Sequence, residues 1–117
     1  MNKALVAAGA INAGLAVAAG AFAAHGLRER LEARALEIFE TGARYQMYHA
    51  LAMILCAVIA TSGAKTAGWI LQAGIVVFSG SLYALALTDV KILGAITPLG
   101  GFAFLVGWAW LAITALR

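Results

Sequence analysis

Charge is scarce in this chain. Eight basic and five acidic residues make up 11% of its 117 positions, less than half of the roughly 25% usual in a soluble domain. A globular protein with a hydrated surface is thereby excluded. A single cysteine, Cys56, excludes an internal disulfide framework. No CxxC or HxxxH pair occurs, so the close-spaced ligands of common metal sites are missing. Nucleophile-elbow and oxyanion-hole motifs are missing too. No acid or base falls in the middle of an apolar run, which argues against a proton-driven transporter. The net charge of +3 comes from a few basic residues at the edges of apolar runs and gives no ground for a nucleic-acid partner.

What the chain has is apolar surface. Its hydrophobic fraction is 64% and its mean hydropathy +0.95, so it belongs in lipid. Its length leaves room for four spans of about 20 residues. The expectation is an all-α integral membrane protein, one membrane domain over residues 1–117. Four transmembrane helices at about 4–24, 45–61, 67–88 and 97–116 form an antiparallel bundle, with one amphipathic interfacial helix at about 27–42 between the first two spans.

Residues 4–24 are apolar apart from Asn12, which can bond across helices as packing glue. Small residues recur at helical spacing, Gly14 between Ala10 and Ala18 among them, and let helix backbones approach closely. A signal peptide competes for this segment, with Lys3 as a basic start and Ala21-Phe22-Ala23 as a cleavage motif, but the apolar run exceeds the usual length. From Leu27 to Gly42 apolar residues fall on one helical face between Arg28, Glu32, Arg34, Glu37 and Glu40. Every glutamate of the chain lies here. This stretch reads as a helix at the membrane surface with Leu31, Ile38 and Phe39 towards the acyl chains, or as a lid over the helix ends. Thr41-Gly42 is placed to interrupt it, and Glu40 and Arg44 stand at the favourable i, i+4 spacing. Tyr45 and Tyr48 fit an interfacial aromatic belt, as Trp69 does at the start of the third span. In that third span Ser79-Gly80-Ser81 signals a tight helix crossing. Thr97 is a good N-cap, Pro98 suits the first helical position, and Gly100-Gly101 leave the backbone bare for close approach.

Antiparallel order gathers the polar residues at one end. His25, Tyr45, Gln46, His49, Ser79, Ser81, Tyr83 and Thr97 form the candidate polar cluster, with Ser81 and Tyr83 about 8–10 Å in from Thr88 by helical rise. Gly14, Gly80, Gly100 and Gly101 are the candidate packing positions. His25, His49 and Met53 are the weak candidates for a metal, with Met47 and Cys56 as further soft atoms nearby, and they lack a ligand-set spacing, so no metal and no cofactor is expected. A serine, His49 and a glutamate do not make a hydrolase without its supporting motifs, so no catalytic residue is assigned and no enzyme is expected. The leading expectation is a structural or accessory membrane component, associating with lipid, with copies of itself or with another membrane protein. The alternatives are binding or transport of a lipid headgroup or small polar solute at the face carrying His25 and His49, and, third, a metal-binding membrane protein.

Four stretches resemble signatures of one family. These are Gly20-Ala-Phe-Ala-Ala-His25-Gly26, Thr41-Gly-Ala-Arg-Tyr-Gln-Met-Tyr-His49, Phe78-Ser-Gly-Ser-Leu-Tyr83, and Thr97-Pro-Leu-Gly-Gly101 followed by Phe104-Leu-Val-Gly-Trp108. The chain resembles the YgdD/YwdK-like small inner-membrane proteins, a domain of unknown function. The departures are Ala23, where glycine is usual, and the extra charge of Asp89. The resemblance implies a four-helix protein of the bacterial cytoplasmic (inner) membrane and carries over no activity and no catalytic residue. It favours both termini on the cytoplasmic side, whereas a plain count of Lys and Arg places the polar cluster there instead. It also runs through the cleavage motif and so favours a retained first helix. Intact-mass measurement of the protein from membranes is expected to find no mature N-terminus near Ala24; finding one overturns the retained helix.

Overall fold

The computed structural model describes residues 1–117. Four helices make up almost the whole chain: α1 (Lys3–Ala24), α2 (Ala33–Ile59), α3 (Ser62–Thr88) and α4 (Leu93–Ala115). They pack in chain order, α1 along α2, α2 along α3 and α3 along α4, while α1 meets α3 only briefly. Three of them, α1, α3 and α4, are long and apolar enough to cross a membrane. The fourth, α2, is as long as α3 at 27 residues, about 40 Å, but its first turns carry Arg34, Glu37, Glu40 and Arg44.

Burial runs opposite to that of a soluble protein. Only 29 of 117 residues are buried, and Leu15, Val17, Leu99, Phe102 and Leu105 stand exposed, while Asn12, Gln46, His49, Ser79 and Ser81 are inside. Apolar side chains outside and polar ones inside are what lipid as solvent demands. The apolar core has two parts. Leu5, Met53, Cys56, Leu71, Ile75 and Phe104 join all four helices. Ala23, Leu27, Phe39 and Ala86 tie the opposite ends of α1, α2 and α3 together.

The links are short and locally determined. Ala60 adopts the left-handed conformation at φ 63° and ends α2. Thr61 then caps α3, its Oγ1 accepting from the Ala64 N–H at 3.1 Å. Asn2 caps α1 in the same way, through Leu5 N–H at 2.9 Å. Each cap satisfies one of the amides that a helix start leaves free.

Several expectations are corrected. There is no separate amphipathic helix over 27–42. Residues 25–30 form turns and α2 runs unbroken from Ala33 to Ile59. Glu32 is extended at ψ 156°, so helix can start only after it. Thr41-Gly42 does not interrupt α2, because Thr41 Oγ1 bonds back to Glu37 O at 2.9 Å and Gly42 lies tight against the Tyr83 ring. Phe39 does not face acyl chains; it is buried, its ring centroid 4.8 Å from that of Tyr83. Arg44 donates to Thr41 Oγ1 rather than pairing with Glu40, and the single ion pair of the molecule is Lys91–Asp89. α4 starts at Leu93, so Thr97 is no cap and Pro98 lies inside the helix. Proline there removes the bond to Gly94 O and crowds that carbonyl, in the second turn of the helix.

Of the four packing glycines, Gly100 makes the close crossing. A β-carbon there would collide with the Phe78 backbone. Gly101 is nearly clear of α3, and Gly14 and Gly80 face open space. The reason is rotational: Ser79 bonds to α2 and Ser81 to α4, so Gly80 falls on the remaining face. On α1 the buried stripe is Leu5, Gly9, Asn12, Ala16 and Ala23, and Gly14 lies off it. Gly100→Ala is expected to destabilise the protein by about 1–3 kcal/mol through overpacking against backbone, whereas Gly80→Ala stays within about 1 kcal/mol of the parent. Thermal unfolding in detergent followed by circular dichroism checks the pair; equal stabilities would refute the close crossing.

Candidate functional site

The buried polar side chains form three linked sets. The largest is a directional chain through three helices. Tyr83 OH on α3 donates to Gln46 Oε1 on α2 at 2.6 Å. Gln46 Nε2 donates to Asn12 on α1, to its carbonyl at 3.2 Å and its Oδ1 at 3.4 Å. Asn12 Nδ2 donates to Gln72 Oε1, back on α3, at 2.7 Å, and also to Ala8 O at 2.9 Å. Each amide donates onward while accepting behind, so successive bonds polarise one another. Gln72 and Tyr83 are eleven residues apart, about 16 Å along α3. The chain leaves α3 at one level and returns to it at another.

His49 anchors the second set, between α2 and α4. Its Nδ1 lies 2.7 Å from Tyr45 O, and Trp108 Nε1–H donates to its Nε2 at 3.1 Å. Only the tautomer with the proton on Nδ1 satisfies both partners. The imidazole also stacks on the Phe104 ring at 3.6 Å between centroids, nearly parallel. Both nitrogens, the atoms that would bind a metal or take a proton from a nucleophile, are thus occupied.

The third set consists of hydroxyls. Ser79 Oγ donates to Gly42 O at 2.7 Å, joining α3 to α2. Ser81 Oγ and Thr97 Oγ1 meet at 2.5 Å, joining α3 to α4; with one proton each, one hydroxyl donates to the other, which donates to its own helix backbone, at Phe78 O or Leu93 O. Neither serine bonds to His49. No buried side-chain nitrogen or oxygen lacks a partner. No three His, Cys, Asp or Glu side chains come together.

The structure therefore brings seven of the eight cluster residues into bundle contacts but divides them among three sets. His25 is apart from all of them, exposed at the end of α1. Met53 is fully buried and touches the Asn12 amide through sulfur at 4.0 Å. Reading the sequence for a site passes over Gln72 and Trp108 and leaves Asn12, expected to bond across helices, outside the candidate cluster. The available signal was that Asn12 and Gln72 are the only side-chain amides in their apolar runs, and such a group in lipid must find a partner.

Cavities lie at helix ends. One of about 570 Å³ is formed by the start of α2, the end of α3 and the links beside them. Two others, of about 350 and 250 Å³, lie at the opposite end, around Trp110, Thr114 and Arg117.

Apolar side chains facing outward, with the few buried polar groups fully bonded inside, define a small all-helical membrane protein. Comparison with known proteins narrows the class. Residues 19–101 match a family model described as "Protein of unknown function (DUF423)". The chain is 48% identical to the UPF0382 membrane protein YwdK of Bacillus subtilis (strain 168), covering 98% of both chains. It is also 48% identical to a UPF0382 membrane protein of Staphylococcus epidermidis, over 98% of this chain and 97% of that one. A third relative, from Staphylococcus aureus (strain bovine RF122 / ET3-1), is 45% identical over the same shares. The chain belongs to this family of membrane proteins. No solved structure matches it.

If the Tyr83–Gln46–Asn12 chain acts as a unit, Tyr83→Phe costs about 1 kcal/mol. Its effect is then smaller in an Asn12→Ala background, with a coupling of about 0.5 kcal/mol or more. A double-mutant cycle on detergent unfolding measures this, and strict additivity would show that the bonds act separately.

Proposed function

We propose that the protein is a non-enzymatic structural or accessory component of the bacterial cytoplasmic membrane. One observation carries the reading: every buried polar side chain is bonded to another group of the protein. A catalytic or transport site keeps polar groups free for its substrate. Here the candidate base, His49, and the candidate nucleophiles, Ser79 and Ser81, are all committed to holding helices together. The three main cavities lie at the ends of the bundle, which supports the same view.

In this reading α2 spans together with α1, α3 and α4. Its apolar half, from Ala50 onward, packs between α1 and α3, and its charged turns project past the roughly 30 Å of hydrocarbon. Both termini and the Ala60-Thr61 link lie on the cytoplasmic side, and His25, the arginine-rich turns and Asp89 on the other. The outward apolar faces meet lipid, copies of the chain or a membrane partner.

Two measurements test the proposal. An impermeant maleimide should label Arg28→Cys in intact spheroplasts and Lys65→Cys only after permeabilisation; the reverse pattern inverts the topology. Photo-crosslinking in native membranes should trap a homo-oligomer or a protein partner. A clean monomer throughout would count against an accessory role.

A further inference from the structure

The 570 Å³ groove at the arginine-rich end is unused by the buried network. It lies where the first turns of α2 pass the last turn of α3. Its volume falls within the range of about 300–1,000 Å³ typical of ligand sites. Its two sides differ in chemistry. Arg30, Glu32, Arg34, Asp89 and Lys91 form a charged rim, and Leu31, Ile38 and Leu85 form an apolar wall.

The charges on the rim are unevenly satisfied. Lys91 Nζ is held by Asp89 at 2.6 Å. Arg30 and Arg34 pair with no carboxylate, although Glu32 shares the groove with them. Two guanidiniums that line the cavity are therefore free of carboxylates, and a guanidinium fork matches phosphate oxygens. At the start of α2 the N-cap residue Glu32 makes no side-chain cap bond, so the first backbone N–H groups keep no side-chain acceptor, while the Glu32 carboxylate opposes an anion in the groove.

Position decides the kind of anion. α2 and α3, at about 40 Å each, exceed the hydrocarbon by roughly 10 Å, so the groove lies at headgroup level with its apolar wall continuing towards the acyl region. A free anion would satisfy the rim and leave the wall bare. An anionic amphiphile satisfies both.

We propose that this groove binds a membrane phospholipid with a net negative phosphodiester headgroup. The phosphate lies between Arg30 and Arg34, and an acyl chain runs along Leu31, Ile38 and Leu85. The site goes beyond the accessory role, and it rests only on the groove's being at the membrane surface.

The test uses the full-length protein in nanodiscs of equal parts phosphatidylglycerol and phosphatidylcholine, released into native mass spectrometry. The protein should retain phosphatidylglycerol selectively. The Arg30→Ala/Arg34→Ala double variant should bind it about thirtyfold more weakly, from the loss of two guanidinium–phosphate hydrogen bonds. Glu32→Gln should bind it more tightly. Arg28→Ala/Arg44→Ala removes the same charge outside the groove and should leave retention near the parent value. Thermal melts of all variants confirm that each is folded. Equal loss in the two double variants, retention of both lipids alike, or displacement by excess inorganic phosphate would each overturn the site. Crosslinking reports separately on the accessory role, so failure of either idea is recognisable on its own.

Discussion

Hydrocarbon offers no hydrogen bonds, and the rest of this structure follows from that. A side-chain amide left alone in the bilayer costs several kcal/mol. Asn12, Gln46 and Gln72 escape the cost by bonding to one another, with Tyr83 completing the chain. Each interhelical bond contributes only about 0.6 kcal/mol on average. The penalty for a wrong arrangement is larger than the gain from the right one. Polar groups thus act mainly by excluding other rotations and registers of α1, α2 and α3. Apolar packing around Leu5, Met53, Leu71 and Phe104 fills the space that this arrangement leaves.

Close backbone approach is the second constraint, and glycine provides it at a few sites. Gly9 lets α1 lie against Ala50 and Ile54 of α2, and Gly100 lets α4 lie against Phe78 of α3. Between them, Gly42 admits the Tyr83 ring, and its carbonyl accepts the Ser79 hydroxyl. Packing and hydrogen bonding therefore fall at the same levels of the bundle. Where a glycine meets nothing, as at Gly14 and Gly80, the helix presents a smooth surface instead.

Helical character and membrane residence were readable in the sequence, because composition and run length report directly on the surrounding solvent. The extent of α2 was not. Its charged turns look like a surface helix because Leu31, Ile38 and Phe39 form an apolar face, and periodicity cannot say whether that face meets lipid or protein. Phe39 meets Ala23, Leu27, Ala86 and Tyr83, while Leu31 and Ile38 lie half-buried at the edge of that cluster and line the neighbouring groove. Likewise Thr97-Pro98 has the chemistry of a helix start, yet Leu93 to Ile96 extend the helix ahead of it. The members of the candidate cluster were visible as polar residues, but their pairing was not. Gln46 joins Tyr83 and Asn12, and His49 joins Trp108; such partners depend on helix rotation, which composition does not encode.

Packing in chain order has a consequence for biosynthesis. Each helix that leaves the ribosome finds its main neighbour already made. Asn12 is the exception, since its amide partners lie 34 and 60 residues further on. At about 5–20 residues per second the first helix waits some seconds for them. Its bond to Ala8 O at 2.9 Å needs no later helix. Asn12 can thus enter the bilayer with one proton already placed, keeping the other for the neighbours still to come.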